Sequence, residues 1–126
     1  MRIVIEFEES TVRAELTDTS TARAIAAALP IEGRASRWGG EIYFSIPVEA
    51  GLEADARDVV GPGELGFWPP GRAFCIFFGP TPASAGKEPR AASPVNVVGR
   101  IEGDLASLWD VPDGAVVSIR PASEGG

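Results

Sequence analysis

Apolar side chains recur at every second residue in short runs along this chain, and glycine or proline cuts the runs apart. Ile3, Ile5 and Phe7 alternate with Arg2, Glu6 and Glu8, and Val12, Ala14 and Leu16 alternate with Thr11, Arg13 and Glu15. A period of two puts one set of side chains on one face of a strand. Two such runs on either side of Glu8-Glu9-Ser10 predict an antiparallel hairpin with one buried face. Ile42, Phe44 and Ile46 repeat the pattern after Trp38-Gly39-Gly40-Glu41, which reads as a tight reversal. Residues 64–68 lead into Pro69-Pro70-Gly71, a rigid reversal. Ala73 to Phe78 is almost wholly apolar, as a strand buried on both faces would be. Val95–Ile101 and Ala115–Ile119 complete the series, and residues 31–37 form a weaker candidate.

The period changes once. Ala22, Ile25, Ala26 and Leu29 fall at i, i+3, i+4 and i+7, one face of a helix that Asp18 or Ser20 caps and Pro30 stops. Asp104–Trp109 has room for a further helical turn. Residues 48–63 are acidic and read as a surface loop. Residues 79–94 hold four prolines and no pattern, a long loop for a compact domain. About eight short strands with one or two short helices make the chain mainly β, as a closed barrel or a sandwich. The 126 residues fit one domain, 1–120, followed by a flexible tail, 121–126. The expected core is Ile3, Ile5, Phe7, Leu16, Ile25, Leu29, Ile42, Phe44, Ile76, Val97 and Ile119.

Composition narrows the chemistry. The chain has no histidine, which removes histidine-dependent nucleophilic systems and histidine-ligated zinc. Cys75 is the only cysteine, so no intrachain disulfide forms; it reads as a buried small hydrophobe without a cationic neighbour in sequence. The net charge is −7, with acids in excess in both halves. That disfavours nucleic acid and anionic membrane surfaces as partners. No apolar signal core or membrane-length stretch is present, so a cytoplasmic location is expected. Glu49, Glu53, Asp55 and Asp58 lack the spacing of a calcium loop, and no metal or cofactor is expected.

Four blocks carry a family resemblance: Trp38-Gly39-Gly40-Glu41-Ile42-Tyr43-Phe44; Gly66-Phe67-Trp68-Pro69-Pro70-Gly71-Arg72-Ala73; Phe77-Phe78-Gly79-Pro80-Thr81-Pro82; and Val95-Asn96-Val97-Val98-Gly99. Together, and in order over essentially the whole chain, they resemble the small bacterial and archaeal cyclophilin-like proteins, a family without an established activity. The resemblance implies a closed eight-stranded β-barrel of the cyclophilin type with short helices near its ends. It does not imply prolyl isomerase activity. The groove of the true isomerases combines an arginine, a glutamine, aromatics and a histidine, and this chain has neither the histidine nor the arginine-bearing signature block.

The candidate ligand-binding residues are Trp38, Glu41, Tyr43, Trp68, Arg72, Phe77, Thr81, Pro82 and Asn96; no catalytic residue is assigned. Glu41 and Tyr43 share one face of a strand, and Trp68 to Arg72 form an aromatic corner with a cation. The prolines of Gly79-Pro80-Thr81-Pro82 remove backbone donors, so this segment suits a clamp over a cleft better than a phosphate nest. Asn96, flanked by valines, is expected to brace backbone or meet a ligand. The reading that follows is a binding domain for a neutral or monoanionic small molecule or a peptide, with Arg72 as its charged contact. The alternatives are a divergent prolyl isomerase using Arg37 or Arg72, and a structural subunit, for which a homodimer is the simplest form.

Overall fold

The hairpin foreseen at the N-terminus forms from β1 (Arg2–Phe7) and β2 (Thr11–Leu16), with Ile3 opposite Ala14 and Ile5 opposite Val12. The Phe7 N–H donates to the Ser10 carbonyl at 2.8 Å and closes the turn. The computed structural model describes residues 1–122. Its remaining strands are β3 (Ile31–Arg34), β4 (Ser36–Arg37), β5 (Glu41–Ser45), β6 (Arg57–Val59), β7 (Glu64–Trp68), β8 (Ala73–Phe77), β9 (Arg90–Glu102) and β10 (Val116–Pro121). Among the described residues there is one α-helix, α1 (Ser20–Ala28), with 3-10 turns at Pro69–Gly71 and Ala106–Asp110. The N-cap of α1 is Thr19, whose side chain accepts from the Ala22 N–H at 3.2 Å. Asp18 and Ser20, the residues expected there, lie on either side of it. The helix gives way at Leu29, whose extended backbone suits a residue before proline.

The sheet has ten strands in the order β3-β10-β1-β2-β9-β7-β8-β5-β4, with β6 paired to β9 off this path. This corrects the closed eight-stranded barrel: the path is open, and its end strands β3 and β4 share no ladder. The reason lies in the chain itself. β3 and β4 are separated by Ala35 alone, and a one-residue bend does not fold a strand back beside its predecessor. Ala35 instead donates its N–H to Ala115 O at 2.8 Å and accepts from the Gly114 N–H at 2.6 Å. β3 pairs with β10 and β4 with β5. The extra strands, β4 and β6, are only 2 and 3 residues long and come from segments with little alternation.

One face of this open sheet packs on a common core. Ile3, Ile5, Leu16, Ile25, Ile42, Phe44, Leu65, Phe74, Ile76, Val117 and Ile119 belong to it. A smaller cluster lies on the other face, where Val60, Ala73, Cys75, Phe77, Ala91 and Val95 meet, with Trp68 and Val97 against them. The all-apolar β8 serves both, which is why every one of its residues is buried.

Two expected core residues, Leu29 and Val97, are only half-buried. For Val97 the cause is a β-bulge. Leu65 pairs with Gly99 but Gly66 pairs with Val97, so one extra residue of β9 changes which side chains face the main core. Val98 takes the core position. β9 also begins at Arg90, so the second part of the stretch read as a sixteen-residue loop is strand. Of the expected tail, Pro121 pairs with Ile3 and the Ala122 N–H donates to Arg2 O; residues 123–126 lie outside the described residues.

Candidate functional site

The smaller cluster borders a half-open cavity of about 160 Å³ lined by Trp38, Glu41, Tyr43, Trp68, Ala73, Cys75, Ala91, Ala92 and Val95. Its position follows from strand parity. In β5, Ile42 and Phe44 are committed to the main core, which turns Glu41 and Tyr43 to the other face. Antiparallel pairing sets Tyr43 opposite Cys75 and Ser45 opposite Ala73. Alanine and cysteine are small, and this leaves a hollow where a larger side chain would fill the sheet face. Ala91, Ala92 and Val95 of β9 form the facing wall, and Trp68 ends β7 beside them.

Of the two tryptophans in the lining, Trp68 is held at its ring and Trp38 through its backbone. The Trp68 indole N–H donates to Ser93 Oγ at 2.7 Å. A Cβ on Gly71 would sit 2.9 Å from the Trp68 ring, so the ring rests on that glycine. Trp38 begins the turn into β5, where the Trp38 N–H donates to Glu41 O and the Glu41 N–H donates back to Trp38 O. The turn is clamped from outside: Gly40 donates to Pro80 O at 2.8 Å, and Phe78 N–H donates to Gly40 O at 2.8 Å. Glu41 is therefore fixed by backbone on both sides. It is 5% exposed. Burial pushes its carboxyl up to about 7, while the neighbouring Cys75 thiol pulls the other way. Burial and the neighbouring Glu41 charge push the Cys75 thiol far upward, so it stays protonated. Tyr43, 36% exposed, and the exposed Ala92 stand at the mouth.

Of the nine candidates from sequence, the lining brings together Trp38, Glu41, Tyr43 and Trp68. The other five have different surroundings. Arg72 takes a left-handed conformation (φ 48°) after the Pro69–Gly71 turn, and its guanidinium pairs with Glu49 at the surface. Phe77 is fully buried in the smaller cluster. Thr81 donates to Arg90 O and accepts from the Ala83 N–H, so it ties the 78–89 segment to the start of β9. Pro82 packs on the Gly39 turn. Asn96 is fully buried; its Oδ1 accepts from Glu53 N–H at 2.8 Å, and its Nδ2 donates to Gly51 O at 2.9 Å and Thr21 Oγ1 at 3.1 Å. It fastens the acidic loop to the start of α1.

Cys75 and the alanines of the lining were not among the sequence candidates. The signal that marks them is the alternation of size in Ala73-Phe74-Cys75-Ile76, large residues to the core and small ones to the side that Glu41 and Tyr43 share. Arg37, the other cation considered, is occupied. It donates to Val111 O at 2.7 Å, Trp109 O at 3.2 Å and Gly39 O at 3.0 Å, and lies over the Phe78 and Trp109 rings.

Among the described residues no group of three or more acidic, histidine or cysteine side chains is placed to hold a metal ion, and no helix is long and apolar enough to cross a membrane. A mainly β domain with one α-helix, an open ten-stranded sheet and an apolar cavity on its outer face is the class these observations define. A model of the cyclophilin-like family matches residues 1–120. The solution structure of a hypothetical protein from Archaeoglobus fulgidus is similar at 46% identity and a TM-score of 0.83, covering 97% of this chain and 95% of that one. No curated protein matches. The chain belongs to the cyclophilin-like family, as its four sequence blocks indicated.

Proposed function

We propose that this chain is a binding domain that takes one compact, mostly apolar group into the cavity between β5, β8 and the first residues of β9. The observation that carries this reading is the lining itself: three aromatic side chains, small apolar residues and a single carboxyl, with the Trp68 ring braced by Ser93 and Gly71. Pockets of this make-up, apolar with few polar groups, are the usual sites of small-molecule binding. Size limits the ligand. An apolar cavity of about 150 Å³ accepts one benzene, so this one suits a single ring, a branched alkyl group or one peptide side chain.

The monoanionic ligand expected from sequence loses its support, because Arg72 lies outside the lining and the one charged group inside is acidic. The isomerase alternative loses its cation in the same way, with Arg37 bound to carbonyls and Arg72 paired with Glu49. A peptide isomerisation assay is expected to show no rate enhancement; an enhancement abolished by Arg37→Ala or Arg72→Ala would reinstate that reading.

The direct test is a ligand-detected NMR and thermal-shift screen with small ring compounds, branched alcohols and amines, and short peptides. Hits are expected to vanish in Ala92→Trp, which blocks the mouth, and to persist in Arg72→Ala. Hits that ignore Ala92→Trp would put the site elsewhere. No hits at millimolar concentration would favour a structural subunit.

A further inference from the structure

We infer that the group this cavity accepts is a methylated ammonium head, such as a trimethylammonium, with Trp38, Tyr43 and Trp68 around it and Glu41 as its counter-charge. The inference rests on the binding reading above and specifies the ligand's charge.

A methylated ammonium carries its charge on an apolar shell. It forms few hydrogen bonds and loses less on leaving water than a bare ammonium does. Aromatic ring faces attract it through their quadrupole over roughly 6 Å from the centroid, and this is how quaternary ammonium ligands are recognised. A cavity of about 160 Å³ is small enough to keep a centred cation within that range of its walls. Three of the nine lining residues are aromatic, and none is basic. Trp68 spends its N–H on Ser93, outside the lining, which leaves the ring to act through its π-system. The chain's net charge of −7 draws cations toward it in general.

Glu41 decides between a cation and a neutral guest. A buried carboxyl either stays protonated beside a neutral ligand or ionises beside a positive one. The titratable groups facing it are Tyr43 on its own strand and Cys75 on β8, the latter held protonated. The β9 wall contributes Ala91, Ala92 and Val95, with no charge. Arg90, at the start of β9, pairs with Asp58 and Glu88, and Arg37 serves the carbonyls named above. Nothing in the lining competes with an incoming cation for Glu41. The cation therefore binds the ionised form, and its affinity rises with pH through the carboxyl's own titration at about 7.

The test compares choline with neohexyl alcohol, its uncharged carbon isostere, by NMR titration of the full chain at about pH 6 and about pH 8. Between these values the ionised fraction of a carboxyl titrating near 7 changes about tenfold. Choline is expected to bind about tenfold more tightly at the higher pH, and more tightly there than the alcohol. Glu41→Gln is expected to abolish the pH dependence while the fold, followed by circular dichroism, persists. Tyr43→Ala, at an exposed position, is expected to weaken choline severalfold without touching the core. Equal binding of both probes, or tighter choline binding at low pH, overturns the cation while leaving the cavity as a binding site, provided Ala92→Trp still blocks it. Binding of neither probe, together with an empty screen, overturns both readings.

Discussion

Burial moves the Glu41 carboxyl from an ordinary value of 4.5 to about 7, and this has a consequence for folding as well as for binding. The folded chain holds a proton there that the unfolded chain releases at lower pH. Stability is therefore greatest below 4.5 as far as this group is concerned, and it is lost as pH rises through about 7. The gap between the two values corresponds to about 3 kcal/mol. Urea denaturation from about pH 5 to about pH 8 is expected to show stability falling over that window, and Glu41→Gln is expected to flatten the profile and raise stability at the alkaline end. A parent profile already flat would mean that the carboxyl is solvated. Asn96 works differently. Its three hydrogen bonds join Glu53, Gly51 and Thr21, and a truncated side chain removes all three, leaving the Thr21 hydroxyl only its bond to Glu53. Asn96→Ala is expected to cost about 3 kcal/mol in urea denaturation, with choline binding intact at saturating protein because Asn96 is not in the lining.

The β4–β5 turn is the element that aims the site. Gly39 takes a positive φ of 61°, and a Cβ on Gly40 would lie 2.4 Å from the Gly79 carbonyl carbon, which is backbone and has nowhere to go. Gly40→Ala is expected to lift the turn from the 78–82 segment, destabilise the fold by about 2 kcal/mol or more, and weaken ligand binding by displacing Trp38 and Glu41 together. Equal affinity in a folded Gly40→Ala variant, measured by NMR titration, would show that the turn does not set the site. This turn was legible in sequence because two adjacent glycines interrupt a strand pattern. So was the shared face of Glu41 and Tyr43, which needs only a period of two. That a buried Asn96 would meet backbone or a ligand followed from its valine neighbours, with the 79–94 loop as the expected partner; its actual partners, 43 to 75 residues distant, are in the acidic loop and α1. The bulge in β9 was not legible at all: its register is set by β7, and no residue in Val95-Asn96-Val97-Val98-Gly99 announces it. Arg72 stood out because it follows two prolines and a glycine. Its partner Glu49 belongs to a loop whose path sequence periodicity does not constrain.

Across the molecule, an open sheet still shields one core, and its end strands β3 and β4 follow one another through Ala35 without sharing a ladder. Counting strands from alternation did not choose between a barrel and a sandwich, with β3 and β4 read as one weak segment; closure was what the family resemblance implied. Phe44 packs across the gap between β3 and β5. Its ring lies beneath Gly33 of β3, where an added Cβ would come 3.0 Å from Cδ2, and it packs against Phe74 with centroids 5.6 Å apart. It thus links the β10 side of the sheet to the β8 side at the place where backbone pairing stops. Phe44→Ala should remove both contacts and leave a cavity, at a cost of about 3–5 kcal/mol. That is a large fraction of the roughly 5–15 kcal/mol that holds a domain folded. Leu29→Ala, by contrast, truncates a half-buried side chain and is expected to cost less than Phe44→Ala. The two variants, compared by urea denaturation at one pH, separate a side chain that spans the gap from one that covers the edge of the core. A smaller loss for Phe44→Ala than for Leu29→Ala would mean that the sheet ends are held through Ala35 and its hydrogen bonds alone, and that the core tolerates an opening between β3 and β5.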